Sequence, residues 1–367
     1  MADVTYWSVA VAETIMKRYP DPDRFPYRSW SYSQGFMLWG MVKLWESTGD
    51  KRYSDYIMRY AEKHVGLDGS ISGFTGESMD DMMPGLVILW AYQQTKQDRF
   101  KKACEKIRRQ FDTYPRTSDG AFWHGKDLPH EFWVDGVFMG QIFLARYGSL
   151  IGDADYCFNE AVRQLELIYR HCRKAGTGLL YHAWSEDKRA VWSDRRTGCS
   201  PEVWSEGLGW YSMILAEVLE VLPAEHEGRP LIVGQLVSLL RELKSLQDEN
   251  TGLWWQVVDK GGLAGNWQDT SGSAMFVYAI RKAIELGLAS RDEFEGVAEK
   301  GYKGIVSKAV ISNGGLIDIV DACDGLCVQD SYLRYVNYEK AVNAKEAVAA
   351  FLWAATIVEK PGKRLIG

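Results

Sequence analysis

The sequence predicts an all-α fold, an (α/α)6 barrel of six inner and six outer helices, with short strands or hairpins in the rim loops. The first observation behind this is a recurring pair. An amphipathic helix with a charged face is followed by a Gly-containing turn or loop, then by a second helix that is small and apolar nearly all round. The second observation is where the irregular chain falls. Stretches 113–135, 175–206, 248–270 and 309–342 each run from the end of an outer helix to the start of an inner one, so they gather at one end of the barrel.

The outer helices are justified by periodicity. In DADYCFNEAVRQLELIYRHCRK (153–174), Cys157, Ala161, Leu165, Ile168 and Cys172 fall at helical spacing, with Asn159, Glu160, Arg163, Glu166 and Arg170 between them, so one face is wet. The same pattern recurs near 5–18, 52–65, 98–112, 227–247 and 291–308. By contrast, GVFMGQIFLARYGSL (136–150) is apolar on every side, as a buried helix is. Helices of this second kind start near Gln34, Met82, Gly136, Gly207, Gly272 and Lys345. The repeat of roughly fifty to seventy residues is longer and less regular than the 34 to 47 or so of an α-solenoid. GAFWH, GLLYHAW and GLWWQ alternate apolar and polar residues for a few positions only, which predicts short strands over the rim. No Pro/Ser/Gly-rich linker divides the chain, so 1–367 reads as a single catalytic domain.

Composition narrows the partners. Fifteen Trp, nineteen Tyr and thirteen Phe exceed what core packing usually asks for, and flat aromatic faces suit sugar rings. A net charge of -6 supplies no basic field for nucleic acid or an anionic membrane. MADVTYWSVAVAETIMKRYP has no basic region ahead of an apolar stretch, and no apolar run reaches the roughly 18 residues of a membrane span. A cytoplasmic protein is the expectation. Six scattered cysteines suit reduced thiols, and CDGLC (Cys323 to Cys327) lacks the second Cys/His pair that zinc needs.

Two aspartates stand where inner helices begin, Asp80 in ESMDDMMPG and Asp135 in FWVDGVFMG. Each alone reads as a helix cap. Asp135, however, keeps company with Trp133, Phe138 and Met139, and with Trp123 and His124 upstream, a desolvation that a surface cap does not require. A carboxylate pair facing one cavity is the common machinery of glycoside chemistry.

GAFWHGKDLPHEFWVDGVFMG (120–140), with WSYSQG (30–35), MDDMMPG (79–85), LLYHAW (179–184), WSEGLGW (204–210), GLWWQVVDK (252–260) and SGSAMFVYAI (271–280), resembles the unsaturated rhamnogalacturonyl hydrolases, relatives of the unsaturated glucuronyl hydrolases. The match runs in order along nearly the whole chain. It implies an enzyme that removes a terminal 4,5-unsaturated uronic acid from lyase-generated oligosaccharides of the pectin or rhamnogalacturonan type. The double bond is hydrated: an acid protonates C4, water adds at C5, and the hemiketal opens. Neither metal nor organic cofactor is implied, and the unsaturated uronyl oligosaccharide is the one partner, with the oligomeric state left open.

By the same resemblance Asp135 is the general acid and then base, and Asp80 the second acidic residue, with Asp81 a neighbouring helix residue. Tyr32, His124 and His182 contact the sugar, and Trp204 and Trp210 form a stacking wall. One departure stands out. WSEGLGW carries Glu206 where the family usually has arginine, a natural partner for the substrate carboxylate. Arg195, Arg196 or Arg334 are the candidate replacements. Two other readings compete: an inverting glycosidase on a saturated oligosaccharide using the Asp80/Asp135 pair, with carboxyls roughly 6.5 to 9.5 Å apart, and a non-catalytic sugar-binding protein.

Overall fold

Small residues decide which helices sit inside. A side chain at Gly35 would meet the Met83 backbone at 2.8 Å, and one at Gly40 would meet the Trp353 ring at 2.7 Å. The helix carrying both can therefore approach its neighbours only as glycine permits. The computed structural model, which describes residues 4–312 and 314–364, shows six such inner helices. They are α2 (Tyr32–Thr48), α4 (Gly85–Thr95), α6 (Val134–Leu150), α8 (Ser205–Val221), α10 (Thr270–Glu285) and α13 (Lys345–Glu359). Each packs on the next, and α13 returns to α2, so the ring closes.

The amphipathic helices form the outer ring: α1 (Trp7–Arg18), α3 (Lys51–His64), α5 (Asp98–Thr113), α7 (Ala154–Cys172), α9 (Arg229–Leu246) and α11 (Arg291–Val306). In α7 the expected inward face, Cys157, Ala161, Leu165, Ile168 and Cys172, is buried. This is the (α/α)6 barrel the pattern predicts. None of the described helices is long and apolar enough to cross a membrane.

The inner helices begin close to the expected positions, with α4 displaced furthest, at Gly85 rather than Met82. There the chain makes a 3-10 turn, Met79–Asp81, in which the Ser78 hydroxyl accepts from the Asp80 N–H at 3.2 Å. Pro84 then caps α4. The rim strands differ in part from expectation. GLWWQ supplies β3 (Trp254–Trp255), paired with β4 (Gln268–Asp269), and GLLYHAW runs into β2 (Ala183–Ser185). GAFWH makes one isolated bridge, Phe122 to Arg116, and the partner of β2 is β1 (Glu131–Trp133), which leads directly into α6. The hairpin β5 (Ala309–Ile311) and β6 (Ile317–Ile319) and the five-residue helix α12 (Tyr332–Val336) were not expected.

Because inner helices all run the same way, their N-termini meet at one end of the barrel and their C-termini at the other. At the C-terminal end Glu217 is fully buried, 3.0 Å from Lys43 and 2.8 Å from Arg146, and it also accepts from the Tyr278 hydroxyl. Burial opposes its charge, but the Lys43 and Arg146 cations hold its carboxyl well below the ordinary range. The Lys43 ammonium also lies 4.6 Å from the centre of the Trp353 ring. Glu217→Ala leaves the buried Lys43 without its carboxylate and Arg146 with Glu220 alone, so it should lower stability by about 3–5 kcal/mol. Chemical denaturation measures this, and a loss below about 1 kcal/mol, the scale of an exposed pair, would show that water already compensates these cations.

Candidate active site

The N-terminal ends of the inner helices surround a cavity of about 590 Å3. Asp135 and Glu206 occupy the second position of α6 and α8, Glu346 the second position of α13, and Tyr32 the first of α2. Asp80 reaches the cavity from the 3-10 turn before α4. Of the residues expected at the site, Asp80, Asp135, Tyr32, His124, Trp204 and Trp210 line it. His182 is not among the lining residues.

Asp135 does not cap its helix. The capping position of α6 is Trp133, and no side chain closes that end. Its carboxyl is instead approached by His182, whose Nε2 lies 3.1 Å from Oδ2. The alignment falls short of a good hydrogen bond, and neither atom has another protein partner among the described residues. On its far side, His182 Nδ1 is 2.9 Å from the Tyr335 hydroxyl, which accepts from the Gln329 N–H at 3.3 Å. His182 is fully enclosed, packed against Trp204 with ring centres 4.4 Å apart. It stands beside Asp135, behind the residues that line the cavity.

His124 stacks on Trp133 at 4.3 Å with the rings 8° from parallel. Burial lowers its pKa, so the ring is neutral at physiological pH. Its Nδ1 lies so close to α6 that a side chain at Gly136 would come within 2.8 Å of it, which accounts for glycine directly after Asp135. Trp204 and Trp210 form part of the wall, although they are only 1% and 2% exposed. His182 covers Trp204, while Phe36 and Phe138 pack on Trp210 with ring centres 4.7 and 4.9 Å away.

The two neighbouring aspartates of MDDMMPG differ sharply. Asp81 is buried and satisfied, accepting from the Thr75 hydroxyl at 2.5 Å and the Glu77 N–H at 3.2 Å. Asp80 is pushed up to about 7, chiefly by burial, then by the negative charges of Asp135 and Asp81, with Arg28 and Lys345 opposing.

Glu206 answers the question its presence raised. Both carboxyl oxygens are buried without a partner among the described residues. Burial first, then the charges of Glu346 and Asp269, lifts its pKa well above the ordinary carboxyl value. That environment favours the protonated form, which carries no charge to repel an anion. Across from it the Tyr32 hydroxyl donates to Glu346 at 2.5 Å, and Lys345 pairs with Glu346 at 3.0 Å and with Asp324 at 2.9 Å. The arginines offered as replacements lie elsewhere. Arg195 donates to the Lys188 carbonyl, Arg334 pairs with Asp330 at 3.2 Å, and neither they nor Arg196 line the cavity. Arg28 and Lys345 do. Lys345 and Glu346 could have been found by the rule that singled out Asp135, since they open the sixth inner helix. Arg28, in PYRSW, carries no such signal.

A helical barrel whose mouth holds paired carboxylates between aromatic walls is built to process carbohydrate. The chain belongs to Glycosyl Hydrolase Family 88, whose model matches residues 7–361, and it is a glycosidase. A solved glycoside hydrolase from family 105 of C. acetobutylicum is 31% identical, covering 97% of this chain and 99% of that one, with a TM-score of 0.91. The unsaturated rhamnogalacturonyl hydrolase YesR of Bacillus subtilis is 24% identical over 264 residues, 70% of this chain and 72% of that protein. The unsaturated glucuronyl hydrolase of Bacillus sp. GL1 shares the fold, at 15% identity over 96% of this chain and 95% of that one, with a TM-score of 0.71.

The raised pKa of Asp80 has a thermodynamic consequence. Below the ordinary value of 3.8 the carboxyl is protonated folded or unfolded, whereas above about 7 it is ionised in both, and folding then bears the full penalty. Asp80→Asn should accordingly raise the Tm by a few degrees above pH 7 and leave it nearly unchanged below pH 3.8. Thermal unfolding at the two extremes checks this; an equal gain at both would assign the effect to packing rather than charge.

Proposed function

We propose that this glycosidase removes a terminal 4,5-unsaturated uronic acid from lyase-generated oligosaccharides of the pectin or rhamnogalacturonan type, by hydration of the C4–C5 double bond. The observation that carries the reading is the Asp80/Asp135 pair on one enclosed cavity, with Asp80 pushed up to about 7. Protonating a carbon requires a carboxyl group that still holds its proton near neutral pH. Two carboxylates on one site resist a second negative charge, so the pair retains one proton there.

In the proposed cycle Asp135 gives its proton to C4, and the electrons of the double bond form the new C–H bond. Positive charge develops at C5, where the ring oxygen shares it. Asp135, now a carboxylate, takes a proton from water as the water oxygen bonds to C5. The resulting hemiketal opens and releases the remaining sugar. His182, with its Nε2 beside Asp135, holds that carboxyl in position through the change of charge, and Asp80 faces the sugar beside it, sharing the one proton of the pair with Asp135. The name of the B. subtilis relative, an unsaturated rhamnogalacturonyl hydrolase, supports the substrate class.

One observation favours a second reading. A carboxyl pushed up to about 7 beside another carboxylate is also what an inverting glycosidase needs as its acid, which would cast Asp80 as acid and Asp135 as base on a saturated oligosaccharide. The choice is made with unsaturated disaccharides from pectin lyases, followed by ultraviolet absorbance of the conjugated double bond. The expected outcome is a loss of that absorbance, abolished or reduced by at least about a hundredfold in Asp135→Asn, with the Tm retained. Full activity in Asp135→Asn would sink the mechanism, and cleavage of saturated substrates alone would select the second reading.

A further inference from the structure

The cavity is acidic: Asp80, Asp81, Asp135, Glu206 and Glu346 all line it. A uronate entering it needs a cation that is free to bind. Among the described lining residues Arg28 and Lys345 are the cationic ones, and Lys345 is committed to Glu346 and Asp324. Arg28 makes no ion pair among the described residues. Its guanidinium is exposed, carried at the cavity edge 5.3 Å from the centre of the Tyr27 ring.

The turn that carries it is constrained. Tyr27 has φ +95, a conformation that residues with side chains avoid, and is 56% exposed. Immediately before it, the Phe25 carbonyl accepts from Gln34 Nε2 at 2.7 Å and the Pro26 carbonyl from the Ser33 hydroxyl at 3.0 Å, both from the first turn of α2. Strain that neighbouring bonds over-determine is typical of segments that hold a functional group in place. Here the bonds tie the turn to the same helix start that supplies Tyr32.

We propose that Arg28 binds the carboxylate of the uronyl substrate and so determines that this enzyme takes an acidic rather than a neutral sugar. The inference rests on the uronyl reading of the site. A guanidinium offers a planar fork of donors matched to a carboxylate, and keeps its charge at every working pH. Glu206, which stands where the family usually has arginine, supplies no cation to hold that charge. Arg28 lines the same cavity as Asp80 and is near enough to lower its proton affinity.

Arg28→Gln tests this in the full chain. Against an unsaturated uronyl disaccharide KM should rise about tenfold to a hundredfold, the range that a lost charge-assisted hydrogen bond gives, with kcat changed far less and the Tm unchanged. A second readout uses a pair of competing ligands, methyl galacturonoside and its methyl ester. The wild type should bind the acid more tightly than the ester, and Arg28→Gln should bind the two alike. Retention of the acid-over-ester preference in Arg28→Gln overturns the assignment. If the wild type turned over no unsaturated substrate, the hydration reading would fall, while the acid-over-ester comparison, read by calorimetry, would still decide the role of Arg28.

Discussion

The constraint on which the structure depends is the convergence of six parallel inner helices, all opening at one end of the barrel. Their free N–H groups and macrodipoles make that end favourable for negative charge, and the chain fills it with acids at the same helical position: Asp135, Glu206 and Glu346 each stand second in their helices. The opposite end shows the complement. Lys43, Arg146 and Lys282 cluster toward the C-terminal ends of α2, α6 and α10, where cations are favoured, and Glu217 and Glu220 from α8 neutralise them. The barrel is polarised along its axis, and the cavity sits at the end that stabilises anions.

Helix dipoles alone cannot hold so many carboxylates in an enclosed space. The acids are reconciled in three ways. Some are saturated with hydrogen bonds: Asp269 accepts from Ser205, Ser271, Gly272 and Cys323. Glu346 is paired with a cation and with a tyrosine hydroxyl. In Asp80 and Glu206 burial and like charges raise the proton affinity, which favours the uncharged form. Of these three sets the last retains protons, and Asp80, pushed up to about 7, shares its proton with Asp135, the proposed acid.

Much of this was legible in the sequence because helical periodicity reports burial directly. The apolar runs beginning near Gln34, Gly136, Gly207, Gly272 and Lys345 are inner helices, and their starts mark the cavity. The rim was less legible. Its strands are two or three residues long, too short for alternation to distinguish, so β1 was missed although it delivers Asp135. Side-chain roles that depend on contacts between distant segments were the least legible. His182 stands between cavity aromatics in sequence, yet its position behind Asp135 is set by Tyr335, 153 residues away. The proton on Asp80 likewise depends on Asp135 and on the depth of the turn that carries it.

Charge and proton are finally linked across the cavity. Arg28 now lowers the proton affinity of Asp80, against the burial that raises it. A uronate bound to Arg28 would neutralise that cation and add a negative charge of its own, and both changes raise the proton affinity of Asp80 further. On the proposed reading, substrate binding therefore secures the proton in the carboxylate pair at the moment it is needed, and a neutral sugar, which leaves Arg28 charged, does not. Recognition and acid catalysis would then be one electrostatic event, which a rim arginine can produce only because the acids around it are already close to losing their protons.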